Sequence, residues 1–265
     1  MKRIIIIGAS SGLGERIALD FARYGFYVGI AARRESRLKA VKEKFPDKIE
    51  YLPIDVTADD AVSRFEKLIE LNGGMDTLLY CSGTGFQDAE LQDVNIHTTL
   101  DVNVTGFARI TAAAYRYFRS TANLHRGQIA AITSVAGTRG IGIAAAYSAS
   151  KRFQQQFLDS LEQLAYSQQV NVQFTDIRPG FVRTELLDPG KNYPMMMTVD
   201  YAAPLIEHAI LTGRRRATID SRWAILTALW RAVPRCLWKR INLVSLGKDA
   251  DQLAEDASGA TCPLT

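Results

Sequence analysis

Tyr147 and Lys151 stand four residues apart in Tyr147-Ser148-Ala149-Ser150-Lys151, and Ser134 precedes the tyrosine by thirteen residues. On a helix, positions i and i+4 share a face, so the Lys151 ammonium can sit beside the Tyr147 phenol and favour its ionised form. A phenol left alone titrates at about 10, and a proton donor and acceptor useful near neutral pH needs such a neighbour. Many helices carry this tyrosine–lysine spacing by chance. Joined to an upstream serine and an N-terminal glycine loop, it points to proton transfer beside a bound nucleotide.

That loop is Gly8-Ala9-Ser10-Ser11-Gly12-Leu13-Gly14, directly after the apolar run Arg3–Ile7. Gly8 permits a tight turn out of a strand, Gly12 lets backbone approach a pyrophosphate, and Gly14 allows helix and sheet to pack closely. Backbone amides freed at the following helix N-terminus, around Ser10, Ser11 and Leu13, then face the phosphates. Three residues separate Gly8 from Gly12, a longer spacing than in the common dinucleotide fingerprint. An acidic residue roughly 20 positions beyond such a loop binds the ribose diol of NAD, whereas an arginine accommodates the extra phosphate of NADP. The chain has Ala31-Ala32-Arg33-Arg34 there, with no carboxylate before Glu35. Two guanidinium groups suit a phosphate. NADP, with NADPH preferred over NADH, is therefore the predicted cofactor.

To position these groups, β-branched and apolar runs must alternate with amphipathic segments of helical length. The pattern predicts an α/β fold with a doubly wound parallel sheet in a single domain over residues 1–247. Strands are expected at Arg3–Ile7, Tyr27–Ala31, Glu50–Ile54, Thr77–Tyr80, Gln128–Thr133, Val172–Asp176 and Ala217–Ile219. Helices are expected at Gly12–Tyr24, Ser36–Phe45, Ala58–Leu71, Leu91–Ser120 with a break near Asp101–Asn103, Ala146–Ser167 and Val199–Thr212. The polar residues from Lys248 onward are expected to fray.

Together these residues resemble the short-chain dehydrogenase/reductase family in its shorter form, from Lys2 to about Gly213. The resemblance implies a Rossmann-type domain in which Asp55-Val56 contacts the adenine and Asn103 holds a water in a proton relay. It also implies that Ser134, Tyr147 and Lys151 complete a catalytic set, with Lys151 holding the nicotinamide ribose. Pro179-Gly180 with Val182 and Thr184 is similar to the family segment that packs on the nicotinamide and binds its carboxamide. Two departures stand out. Ile7 replaces the usual threonine before the first glycine, and Tyr80-Cys81-Ser82-Gly83 replaces Asn-Asn-Ala-Gly, removing side chains that brace the sheet and line the cofactor. Gly83 still lets backbone approach the adenosine half.

Composition excludes other classes. Cys81, Cys236 and Cys262 are odd in number and widely spaced, which fits a reducing, cytoplasmic compartment rather than a disulfide framework or zinc site. His97, His125 and His208 lack partners at ligand spacing, so no metal is expected. No leader-like or membrane-spanning run is present, since Ile4–Ile7 and Trp223–Trp230 are both too short. Met195-Met196-Met197, after Lys191-Asn192-Tyr193-Pro194, falls where the family places a mobile substrate lid and suits an adaptable apolar wall, with core packing of a short helix as the alternative.

The C-terminal part carries the one charge asymmetry. Between Arg214 and Arg240, eight basic residues face a single acid, Asp220, for a net +7 in a chain whose total is +4. Trp223, Leu226, Trp230, Val233, Leu237 and Ile241 recur at helical spacing, beside a basic stripe of Arg231, Arg235 and Lys239; Pro234 should split the segment in two. Two readings stay open. One is a substrate-side helix pair with buried apolar faces. The other is an interfacial pair whose Trp223 and Trp230 insert beside anionic headgroups, making 222–241 a peripheral membrane contact. Nucleic acid is not expected, because no binding module accompanies the basic patch. The expected activity is reduction of an apolar ketone, such as a 3-keto-acyl or keto-lipid compound, by a homo-oligomer. The alternative is a non-catalytic NADP(H)-binding regulator.

Overall fold

The computed structural model describes residues 2–121, 126–187, 190 and 193–241. His125, Cys262, Lys191-Asn192 and the tail from Lys248 lie outside them. Seven strands alternate with nine helices among the described residues: β1 (Arg3–Ile7), α1 (Gly12–Arg23), β2 (Tyr27–Ala32), α2 (Glu35–Glu43), β3 (Ile49–Pro53), α3 (Ala61–Leu71), β4 (Thr77–Tyr80), α4 (Asp93–Leu100), α5 (Phe107–Ser120), β5 (Gly127–Ile132), α6 (Ala145–Ser167), β6 (Val172–Pro179), α7 (Val199–Leu211), β7 (Arg216–Ile219), α8 (Ser221–Ala232) and α9 (Arg235–Trp238).

All seven strands are parallel, in the order β3-β2-β1-β4-β5-β6-β7. β1 shows why. Ile4 and Ile6 enter the core under α1 and α7, Ile5 and Ile7 enter the core under α3 and α5, and all four are at most 1% exposed. A strand covered on both faces reads as a continuous apolar run, and each isoleucine contributes roughly 1.5–3 kcal/mol by burial. Strand order reverses between β1 and β4, leaving a crevice beyond their carboxyl ends, where doubly wound sheets place their ligands.

Boundaries differ from expectation in two informative places. β6 runs three residues past Asp176, because Arg178 is a buried partner of that aspartate (Nη2 to Oδ2 2.5 Å) and Thr133 Oγ1 donates to its other oxygen at 2.6 Å. A charged Asp-x-Arg pattern reads as a strand end unless the pairing is known. The predicted Leu91–Ser120 helix is two, joined by a π-helical turn at Asp101–Gly106. Such widened turns re-aim side chains and occur often at functional sites; this one carries Asn103.

Candidate active site

The glycine loop closes the crevice from below. A Cβ on Gly14 would fall 2.1 Å from the Gly8 carbonyl oxygen, and Gly8 itself has φ +94°, so neither position accepts a side chain. Ser11 is the N-cap of α1 but makes no side-chain cap hydrogen bond. With the Gly14 amide turned to Cys81 and the Glu15 amide on the Ser11 carbonyl, the uncapped amides of Gly12 and Leu13 are the ones left for an anion, and this pair fits a pyrophosphate. Thr184 lies against Gly12, with Cγ2 3.1 Å from where a Cβ would stand.

Of the two predicted arginines, the structure brings only Arg34 to the loop. Its guanidinium donates to Ser10 Oγ (3.0 and 3.2 Å) and Ser11 Oγ (2.8 Å), and also to Glu185 at 2.7 Å. Arg33 is exposed with no partner among the described residues. Arg37, absent from the sequence-based set, supplies the second charge by pairing with Glu185 at 2.5 Å. It lies one helical turn beyond Arg34, a spacing legible once α2 is known to start there.

Asp55 closes a turn by accepting from the Thr57 amide and hydroxyl (3.0 and 2.8 Å), and Val56 is buried beneath Gly106. Tyr80 takes over bracing in the altered loop, donating to the Val102 carbonyl at 3.2 Å. Burial pushes the Cys81 thiol up to about 12, partly offset by Lys151, so it stays an unreactive thiol. Among the described residues no group of three or more His, Cys, Asp or Glu could hold a metal.

Ser134, Tyr147, Lys151 and Asn103 converge above the carboxyl ends of β4 and β5. Ser134 caps a 3₁₀ turn, its Oγ accepting from the Ala136 amide at 3.0 Å, which leaves the hydroxyl proton to donate elsewhere. Gln155 Nε2 holds the Ser134 carbonyl at 2.8 Å. The Tyr147 ring is seated on Gly85, where any Cβ would fall 2.2 Å from Cδ2. Gly85 was invisible as a site residue because its value is the absence of a side chain at a contact 62 positions away.

The expected depression of the Tyr147 pKa is not what the structure has. Burial raises the phenol above its ordinary value, and the Ser134 hydroxyl only partly offsets this. The Lys151 ammonium sits 5.7 Å from the ring centre, over the ring, and it is not among the causes that shift the phenol. Lys151 is itself 4% exposed and pulled down to about 8, chiefly by burial. It donates to the Ile132 carbonyl (3.2 Å) and to Gln154 Oε1 (3.0 Å). Asn103 is fully buried, and its side chain clips the 83–85 loop to α6: Oδ1 accepts from the Thr84 amide (2.9 Å), while Nδ2 donates to the Thr84 carbonyl (2.6 Å) and Ser150 Oγ (3.0 Å).

The far wall comes from Pro179-Gly180 and the C-terminal helices. Pro179 ends β6; Gly180 lies under the Trp223 indole, and Phe181 packs edge-on to it at 5.5 Å and against Tyr193 at 4.8 Å. Val182 is buried and bridges to Met197. The chain does break at Pro234, but insertion of Trp223 and Trp230 into headgroups does not agree with the structure. Trp223 is 3% exposed in the core. Trp230 Nε1 donates to Thr138 Oγ1 (2.8 Å) and Trp238 Nε1 to the Gly140 carbonyl (2.9 Å). Arg139, between those two, donates to the carbonyls of Trp230 and Arg231 (3.1 Å each) and of Val233, satisfying the end of α8. The break also prevents Arg231, Arg235 and Lys239 from forming one continuous face. Among the described residues no helix is long and apolar enough to cross a membrane.

Comparison with known proteins agrees with this geometry. The family model described as short chain dehydrogenase matches residues 2–192. The chain is 32% identical over 245 residues to an uncharacterized oxidoreductase of Myxococcus xanthus, covering 89% of this chain and 94% of that one. It is 30% identical over 228 residues to an 11-beta-hydroxysteroid dehydrogenase-like protein of Arabidopsis thaliana, covering 80% and 71%. Among solved structures, a 3-ketoacyl-(acyl-carrier-protein) reductase from Brucella melitensis complexed with NADH superposes with TM-score 0.72 at 22% identity, over 83% of this chain and 96% of that one. An alcohol dehydrogenase from Thermococcus sibiricus complexed with 5-hydroxy-NADP gives TM-score 0.70 at 24% identity, over 83% and 95%.

Proposed function

The chain belongs to the short-chain dehydrogenase family and is an NAD(P)-dependent dehydrogenase/reductase; on that premise we propose that it uses NADPH to reduce an apolar ketone, such as a 3-keto-acyl or keto-lipid compound. The observation that carries this reading is the convergence of Ser134, Tyr147 and Lys151 beside a glycine loop whose serine hydroxyls hold Arg34.

Bound NADPH would supply the hydride. Tyr147 would give its proton to the carbonyl oxygen, and Ser134, whose acceptor side is occupied by Ala136, would donate a hydrogen bond to orient that oxygen. Lys151 would hold the nicotinamide ribose with the N–H that neither Ile132 nor Gln154 takes. Gly8, Gly12, Gly14 and the α1 amides would carry the pyrophosphate, Asp55, Val56 and Gly83 the adenosine half, and Pro179, Gly180, Val182 and Thr184 the nicotinamide. Burial raises the Tyr147 phenol further from neutrality, so the protonated form that reduction needs is the one present at neutral pH, and the reverse oxidation should gain rate as pH rises.

Arg34 and Arg37 support the choice of NADP, since both now pair with a carboxylate that the extra phosphate can replace. Arg34→Ala should weaken NADPH by about 1.5–3 kcal/mol, the scale of lost charge-assisted hydrogen bonds. Arg33→Ala should have little effect. Titration calorimetry with NADPH and NADH separates the cases; equal losses for both cofactors would show that Arg34 does not read the phosphate.

We assign 222–241 to the substrate side in preference to a membrane surface, because the indoles are held by Thr138 and Gly140 on the loop that follows Ser134. The 11-beta-hydroxysteroid dehydrogenase-like relative and the 3-ketoacyl reductase lend the substrate class its support. Homo-oligomerisation and a cytoplasmic setting complete the reading. NADPH oxidation against ketones of increasing chain length tests it, and Trp230→Ala should raise the Michaelis constant for the longest. Cofactor binding with no ketone turned over would favour a sensor instead.

A further inference from the structure

Gln154, three residues beyond Lys151 on α6, is fully buried and joins two groups that the family resemblance does not connect through a side chain. Its Nε2 donates to the main-chain carbonyl of Asn103 at 2.9 Å, and its Oε1 accepts from Lys151 Nζ at 3.0 Å. The orientation of the amide is dictated from both ends. A carbonyl can only accept and an ammonium can only donate, so nitrogen must face Asn103 and oxygen must face Lys151.

The consequences fall on Lys151. A buried ammonium is costly unless its N–H groups find acceptors. No carboxylate hydrogen-bonds to Lys151 among the described residues: Asp176 acts on it only through space, being paired with Arg178 and Thr133. The other titratable neighbours are Tyr147 on the same helix, whose ring lies under the ammonium, and Cys81 on the loop after β4, held as a thiol. The acceptors fixing Nζ are therefore two neutral ones, the Ile132 carbonyl and Gln154. Two of its three N–H groups are thus taken, and Nζ lies close to the loop after β4, 3.3 Å from where a Cβ on Gly83 would stand.

We propose that Gln154 is a positioning residue for Lys151, tying the ammonium to the widened turn at Asn103 so that it stays charged and aimed at the cofactor ribose and Tyr147. The carboxamide stands between Asn103 and Lys151, where the resemblance implies a water. An amide N–H does not release its proton near neutral pH, so Gln154 orients the ammonium and does not itself relay protons. The inference rests on the proposed carbonyl chemistry only for its effect on turnover.

Two near-isosteric variants test it by sign. In protein labelled with ¹³Cε-lysine, the Lys151 signal is identified by its loss in Lys151→Arg and titrated without cofactor. Gln154→Met removes the acceptor and should lower the Lys151 midpoint by about one pH unit, a tenfold change in proton affinity. Gln154→Glu keeps an acceptor, so the midpoint should stay or rise. The alkaline limb of kcat under saturating NADPH should move in the same directions, with the Michaelis constant for ketone little changed. An unmoved midpoint in Gln154→Met, or an equal fall in Gln154→Glu, overturns the proposal; if Gln154→Met fails to fold, a rise in Gln154→Glu sustains it and an unmoved or lowered midpoint there overturns it. Shifts as expected in a protein that reduces no ketone would sustain the positioning role and defeat the carbonyl reductase reading, whereas full turnover with an unmoved midpoint would do the reverse.

Discussion

Tyr147→Phe is expected to lower turnover by about 100-fold or more while leaving NADPH affinity nearly unchanged. The substitution deletes one oxygen and its transferable proton. It leaves in place the ring that fills the space over Gly85 and lies under the Lys151 ammonium. Folding should suffer by only about 1 kcal/mol, the usual cost of one hydrogen bond, here the one with Ser134. Single-turnover measurements with excess enzyme would separate the chemical step from cofactor release. Retained activity would sink the role given to Tyr147, and a large loss of cofactor affinity would mean that the phenol hydroxyl helps to hold the ribose. Ser134→Ala should be milder, because it removes an orienting donor and leaves the proton source intact.

Lys151→Met should abolish turnover and weaken cofactor binding together, since one ammonium serves both the ribose and the electrostatics around Tyr147. The same substitution should make the protein more stable at neutral pH, by about 1–2 kcal/mol, on the pattern of buried charges replaced by well-packed apolar groups. Burial lowers the Lys151 pKa in the folded chain to about 8 from its ordinary 10.5. Folding below pH 8 must therefore accept a buried charge, and this cost is fully present at pH 7. It fades between pH 8 and 10.5, as the folded chain gives up the proton while the unfolded chain keeps it. The stability advantage of Lys151→Met should shrink over the same window. Thermal denaturation of both proteins at pH 7 and pH 10 checks this: a variant less stable than its parent at pH 7 would show that the Ile132 and Gln154 hydrogen bonds outweigh the desolvation of the ammonium. A residue that costs stability yet enables chemistry is the expected signature of a functional group.

Local chemistry in the sequence was enough to determine which runs are strands, most helices and which residues could do the chemistry. Runs such as Ile4–Ile7 have no stable setting except a strand covered on both faces, and a glycine loop after the first strand leaves few places for a pyrophosphate. The serine, tyrosine and lysine were legible because their spacing survives folding unchanged on one turn and one helix. Tertiary structure alone decided everything that depends on a partner distant in the chain. Arg178 reads as a loop residue until Asp176 and Thr133 are seen to enclose it. Arg33 and Arg34 are alike in sequence, and only the direction in which α2 leaves the sheet puts Arg34 on the serines of the glycine loop and Arg37 beside it on Glu185. The tryptophans of 221–238 have the spacing of an interfacial helix, yet Trp223 is buried in the core, and Thr138 and Gly140, some ninety residues earlier, hold the indoles of Trp230 and Trp238. The phenol pKa followed the same rule: helical spacing places Lys151 near Tyr147, but burial, a property of the whole fold, sets the direction of the shift.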